Sequence, residues 1–213
     1  MTIILPSKLS EAEDSFTTII LNQLDTITTN RLAINLKFEG LRLMPIASRL
    51  ARNLLQNKVN FLLLWSDAGS VALAKRDNPD LNSYIYSYSD IISGKFRPSD
   101  NEILIAVNPE PYDYEIFNRL CESYSDRILM INGRLEDTAI GIGSIGRDRK
   151  RVFINSWHYI YYLEPMNNGA IMMSYPNEWT LFSLSSDGYR YLTQFPKKPT
   201  LDLIVETFLS NQN

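Results

Sequence analysis

Three stretches of this chain are apolar almost without interruption: Val59 with Phe61–Trp65, Ile103–Val107 and Ile128–Ile131. A strand with one wet face alternates apolar and polar residues. An unbroken short run instead marks a strand covered on both faces, as in parallel sheets flanked by helices. Helical segments lie between these runs, at Ala68–Arg76 and Tyr112–Tyr124. In the second, Ile116, Phe117, Leu120, Cys121 and Tyr124 form one apolar stripe. Strands alternating with helices predict βαβ units with right-handed crossovers. The expected fold is therefore α/β, a mostly parallel Rossmann-like sheet.

The flanking segments extend this pattern. Leu9, Ala12, Phe16, Ile20, Leu24 and Ile27 recur at helical spacing, and Ser10–Glu13 fits a capping box that would open this helix. The helix is expected to end near Thr29 and Asn30. Leu32, Ile34, Leu36 and Phe38 alternate with Ala33, Asn35 and Lys37, predicting a strand buried on one face, near a sheet edge. Gly40 breaks it, and Pro45 suits the first turn of a helix whose inner stripe is Ile46, Leu50 and Leu54. Asn82–Ser89 reads as a short strand and Ser93–Asn101 as an exposed loop.

Beyond about residue 150 the rhythm changes. Trp157–Leu163, Ala170–Tyr175, Trp179–Leu184 and Tyr189–Thr193 are closely spaced strand candidates, with Asn167-Asn168-Gly169 and Asp187-Gly188 as hairpin signals. A last helix follows Pro199-Thr200, with Leu201, Ile204, Val205 and Phe208 expected inward. Residues 1–213 thus read as one α/β domain. Its parallel part is 1–150, and 151–213 supplies antiparallel strands and a C-terminal helix.

The totals exclude several kinds of chemistry. One cysteine, Cys121, and one histidine, His158, allow neither a disulfide nor a Cys or His metal cluster. Cys121, with no base near it in sequence, is expected to fill core space. The formal net charge of -3 does not favour nucleic acid or anionic lipid as a general partner. The longest apolar stretch, Phe61–Trp65, is far short of the roughly 20 residues that span a bilayer. The N-terminus has no basic region leading an apolar core, so the expected compartment is the cytoplasm.

In open parallel sheets, ligands bind outside the carboxyl ends of the strands. Ser66-Asp67-Ala68-Gly69-Ser70, Asn108-Pro109 and Asn132-Gly133-Arg134 follow the three buried strands. If those strands are neighbours, Asp67, Gly69, Ser70, Asn108, Asn132 and Arg134 line one crevice, although Asp67 also suits a helix cap. Gly141, Gly143 and Gly146 have the spacing of a dinucleotide loop. They do not follow a strand directly, so the pattern counts only as backbone available to an anion. Arg147, Arg149, Lys150 and Arg151 follow, a docking or anion site if they are not simply a solvated helix face. On that helix Val152, Phe153 and Trp157 are expected inward. Most of the aromatic group from Trp157 to Tyr191 is expected in core and hairpin packing. His158 reads as structural, Glu164 and Glu178 form no recognisable acid pair, and no catalytic residue, cofactor or metal is assigned.

Several segments in fixed order carry a resemblance: Leu5-Pro6, Leu43-Met44-Pro45-Ile46-Ala47, Asp67 through Asp77, and Asp126 through Asn132. Gly141-Ile142-Gly143 with Arg147 and Arg151, Tyr161 through Pro165, and Tyr175-Pro176-Asn177-Glu178-Trp179 continue it. Together they resemble a cyanobacterial and plastid family that includes the third of the plant Low Photosystem II Accumulation proteins. Gly133 stands where proline is expected, and Lys75 where a second arginine is. The resemblance implies a non-enzymatic accessory factor for photosystem II, particularly its inner antenna subunit, docked peripherally at the cytoplasmic face of the thylakoid. Its expected partner is a photosynthetic membrane protein or assembly factor. Fusion of a similar domain to adenylate kinase in plants implies the alternative, a phosphate- or nucleotide-binding protein or enzyme using the strand-end crevice.

Overall fold

A computed structural model describes residues 3–135 and 144–211 of the chain, the first four of the second stretch by their backbone only. Nine strands form one sheet: β1 (Arg31–Leu36), β2 (Phe61–Trp65), β3 (Ile85–Ser87), β4 (Ile103–Val107), β5 (Ile128–Ile131), β6 (His158–Met166), β7 (Gly169–Ser174), β8 (Trp179–Ser185) and β9 (Gly188–Phe195). Their spatial order is β3-β2-β4-β5-β1-β6-β7-β8-β9. Every pairing from β3 through β6 is parallel, and the pairings from β6 through β9 are antiparallel. The sheet therefore runs unbroken across residue 150, and the change of direction falls between β6 and β7.

Helices α1 (Leu9–Gln23), α2 (Leu43–Gln56) and α3 (Ala68–Asp77) cover one face. Their Phe16, Ile46, Leu50, Leu54 and Ala74 pack with Leu32, Ile34 and Leu36 of β1 and Leu63 of β2. Helices α4 (Tyr88–Ile92), α5 (Tyr114–Ser123) and α6 (Ser144–Asn155) cover the other. There Tyr88, Phe117, Leu120, Phe153 and Trp157 pack on Ala33, Leu62, Leu104 and Met130. The C-terminal α7 (Leu201–Ser210) lays Ile204 and Phe208 over Tyr162, Ile171, Met173 and Leu181. Burial of β2, β4 and β5 on both faces is what their unbroken apolar sequences demanded.

Five local expectations are corrected. β1 is not an edge strand: it lies between β5 and β6 with five of its six residues buried. Its alternation came from Ala33, which packs under α6, and from Asn35, which is polar yet buried. The first helix ends at Gln23, so Ile27 lies beyond it. Its N-cap is Lys8, without a side-chain cap, and the first turn is tied down by Ser7, whose backbone N–H and hydroxyl both donate to Glu11, rather than by a Ser10–Glu13 box. Val152 projects outward on α6 while Phe153 turns in. On α7, Leu201 and Val205 are exposed, because a ten-residue helix over a flat sheet buries one narrow row, Ile204 and Phe208.

Candidate functional site

Asn108 and Asn132 each follow a buried strand with positive φ, 50° and 51° respectively. Asparagine is among the few side chains that tolerate this left-handed backbone, which bends β4 and β5 sharply away at their carboxyl ends. The turns are tied together. Asn108 N–H donates to the Ile131 carbonyl at 2.8 Å, Asn132 N–H to the Ile34 carbonyl at 2.8 Å, and Arg134 N–H to the Pro109 carbonyl at 2.9 Å. The Asn132 carboxamide then extends the β5–β1 ladder past the last strand residue, engaging both backbone groups of Leu36.

These turns converge where the sheet divides. The helix after β1 packs on one face and the helix after β5 on the other, although β1 and β5 are neighbours. Chains leaving adjacent parallel strands to opposite sides open a gap, the position at which such sheets bind ligands. The gap here is a cleft with a cavity volume of about 580 Å³. Asn108, Glu110, Asn132 and Arg134 form one wall, and Asn35, Lys37, Glu39 and Gly40 the other.

Its charges come in equal numbers. Arg134 approaches Glu110 at 3.8 Å, and Glu110 also accepts from the Asn108 carboxamide at 2.7 Å. Lys37 reaches Glu164 at 3.6 Å and lies over the Tyr162 ring, whose hydroxyl donates to the same Glu164. Asn35 is the buried member, 7% exposed, and its carboxamide has no hydrogen-bond partner among the described residues.

Asn108, Asn132 and Arg134 are thus brought together as expected. Asp67, Gly69 and Ser70 are not part of the cleft. Asp67 caps α3, accepting from Ser70 N–H at 2.9 Å and from the Ser70 hydroxyl at 2.6 Å. Those hydrogen bonds hold its carboxyl below the usual carboxylate range. Across the β2–β4 boundary, burial pushes the Asp113 carboxyl up, helped by the charges of Glu110 and Asp67. Gly141 and Gly143 lie outside the described residues, as does the side chain of Arg147. The wall from Asn35 to Gly40 was missed because β1 was read as an edge strand. Its available signal was Gly40, whose φ of 69° marks a sharp turn after a strand.

The basic segment on α6 forms a separate feature. Arg149 and Arg151 are exposed, while Lys150 lies 4.5 Å from the centre of the Tyr114 ring. Glu115, Asn118 and Glu122 of α5 line the facing side of this groove, so acidic groups stand opposite the cations. His158 meets the Tyr175 ring edge-on at 6.0 Å. Among the described residues, no three His, Cys, Asp or Glu side chains are grouped to hold a metal, and no helix is long and apolar enough to cross a membrane.

Residues 6–206 match the model of a family described as a domain of unknown function, DUF1995. No curated protein matches the chain significantly. The match covers nearly the whole sequence, and the chain belongs to this family.

Proposed function

We propose that this DUF1995 chain is a non-enzymatic accessory factor that binds a photosynthetic membrane complex, photosystem II and its inner antenna subunit in the first place. The observation that carries the reading is the outer side of α7. Leu201, Val205 and Leu209 recur every fourth residue, flank the buried Ile204 and Phe208, and are 69%, 49% and 60% exposed. An apolar stripe wider than the row the sheet covers is suited to a second body packing alongside, and among the described residues nothing buries the exposed part. An apolar surface is what such a row suits, and it is the sequence resemblance that suggests a photosystem subunit at the cytoplasmic side of the thylakoid. Arg149 and Arg151 would add polar contacts at a rim. The test is affinity purification from detergent-solubilised membranes of the native host, using wild type and a Val205→Glu, Leu209→Glu variant. Photosystem II subunits should be recovered with wild type and lost with the variant. The reading fails if wild type recovers none and deletion leaves photosystem levels unchanged.

A second reading, favoured by the cleft between β1 and β5, is a ligand-binding protein. What supports it is a buried carboxamide, Asn35, opening onto a polar cavity at the position where parallel sheets bind small molecules. A thermal-shift screen tests it, since a ligand bound only by the native state raises the melting temperature.

A further inference from the structure

The geometry points to a small zwitterion of the α-amino-acid class as the ligand of this cleft, rather than a phosphate or nucleotide; the inference rests on the ligand-binding reading and gives it a chemistry. Three observations lead there. The first is Asn35. Polar groups in native interiors bond to protein, water or ligand, and a carboxamide that meets a cleft bonds to whatever fills it. Asn35 is 7% exposed, lines the cavity, and its carboxamide has no protein partner among the described residues, which leaves it to the contents of the cleft. Its carboxamide offers two donors and one acceptor oxygen, so it can bond a carboxylate oxygen and an ammonium of one molecule.

The second is the charge pattern. The wall formed by the turns after β4 and β5 carries Arg134 with Glu110, and the wall after β1 carries Lys37 with Glu39. Each wall thus presents one cation and one carboxylate. A nucleotide bearing several negative charges would place them against Glu39 and Glu110, and like charges in a partly dehydrated cleft repel. A molecule carrying one charge of each sign can face a cation with its carboxylate and an acid with its ammonium. The Arg134 guanidinium is a forked donor suited to the carboxylate end.

The third is that the cations are lightly engaged. Arg134 and Glu110 are 3.8 Å apart and Lys37 and Glu164 3.6 Å apart, both beyond hydrogen-bond distance. A ligand carboxylate can draw either cation closer without breaking a short hydrogen bond. Asn132, by contrast, is fully committed to Leu36 and acts as a fixed edge of the cleft.

The experiment is a thermal-shift panel on the full chain with three arms: the L-α-amino acids, inorganic phosphate with AMP and ATP, and simple carboxylates such as acetate. Hits are followed by calorimetric titration of wild type, Asn35→Ala and Arg134→Gln. At least one amino acid should raise the melting temperature by several degrees at millimolar concentration. Asn35→Ala and Arg134→Gln should each weaken its binding at least about tenfold. Arg134 is largely exposed, so Arg134→Gln retains the fold and carries the test even if Asn35→Ala does not. An amino acid that binds all three proteins equally overturns the site. Shifts confined to the phosphate arm, or given equally by acetate, overturn the zwitterion and leave the ligand-binding reading standing. Silence in every arm overturns both.

Discussion

The Asn132 carboxamide pairs with both backbone polar groups of Leu36, accepting from its N–H at 2.8 Å and donating to its carbonyl at 2.7 Å. One side chain thereby acts as an extra strand residue where the β5 backbone has already turned away. Two requirements meet at this position, a left-handed backbone and a short amide. Asn132→Gly keeps the first and removes the second, and is expected to cost about 1–3 kcal/mol. Asn132→Ala removes both and should be the more damaging of the two, because a Cβ is disfavoured at positive φ. Urea denaturation of the pair checks the order. Equal stabilities would mean that backbone strain contributes nothing here.

Gly169 opens β7, and the Phe208 ring of α7 lies close above it. A Cβ at this position would overlap the carbonyl oxygen of Phe182 and stand 2.9 Å from the Phe208 ring. The ring can shift, but the backbone carbonyl belongs to the β7–β8 ladder. Gly169→Ala is expected to destabilise by about 1–3 kcal/mol, in the manner of an overpacked core. Hydrogen exchange should show the loss concentrated in β7, β8 and α7.

Asp90 makes a capping box with Ser87 at the start of α4, and its other oxygen accepts from Lys95 Nζ at 2.7 Å. Lys95 and the Ser87 hydrogen bonds lower its pKa to about 2. An unfolded aspartate titrates near ~4, so the folded value is depressed. The stabilisation is therefore complete above pH ~4 and is lost as pH falls through the folded value. Asp90→Asn should cost about 1 kcal/mol near neutral pH. The gap between the two proteins should close between pH ~4 and ~2 in pH-dependent denaturation. A gap that persists unchanged into acid would remove the carboxylate from the explanation.

Burial pushes the Cys121 thiol up to about 12. The thiolate is the reactive form, so the folded protein should label negligibly slowly with iodoacetamide at pH 8, and rapidly once denatured. Fast labelling of the native state would show that α5 opens readily.

The outer row of α7 should be dispensable for folding. Val205→Glu and Leu209→Glu, made together, are expected to change the unfolding midpoint little, since both positions are exposed. A large loss of stability would show that this row is covered within the chain itself, and would remove the support it lends to partner binding.

Much of the architecture was legible because β2, β4 and β5 are apolar on both faces, and only a covered parallel strand uses such a sequence. The hairpins after β6 and β8 were equally plain from Asn167-Asn168-Gly169 and Asp187-Gly188. β1 misled because its alternation is real while its cause is not a wet face: Ala33 is small enough to sit beneath α6, and Asn35 faces the cleft. Half of the candidate site was therefore visible, as the turns at Asn108 and Asn132. The half after β1 was hidden, since strand order is a property of tertiary pairing and leaves no local mark. Asp67 was ambiguous for a plainer reason. A helix-capping aspartate and a ligand-binding one have the same sequence, and here the hydrogen bonds to Ser70 decide for the cap.

The central place of β1 has a consequence for biosynthesis. It precedes the other strands of the sheet in the chain, yet its neighbours are β5 and β6, and the Asn132–Leu36 contact joins residues 96 positions apart. Such long-range pairing delays folding and leaves apolar edges open to aggregation in the meantime. A nascent chain interrupted before His158 carries Leu32, Ile34 and Leu36 with one side of their ladder unfilled. Assembly of the cleft therefore waits on the C-terminal half of the polypeptide, and truncated forms of this protein are candidates for chaperone capture rather than for function.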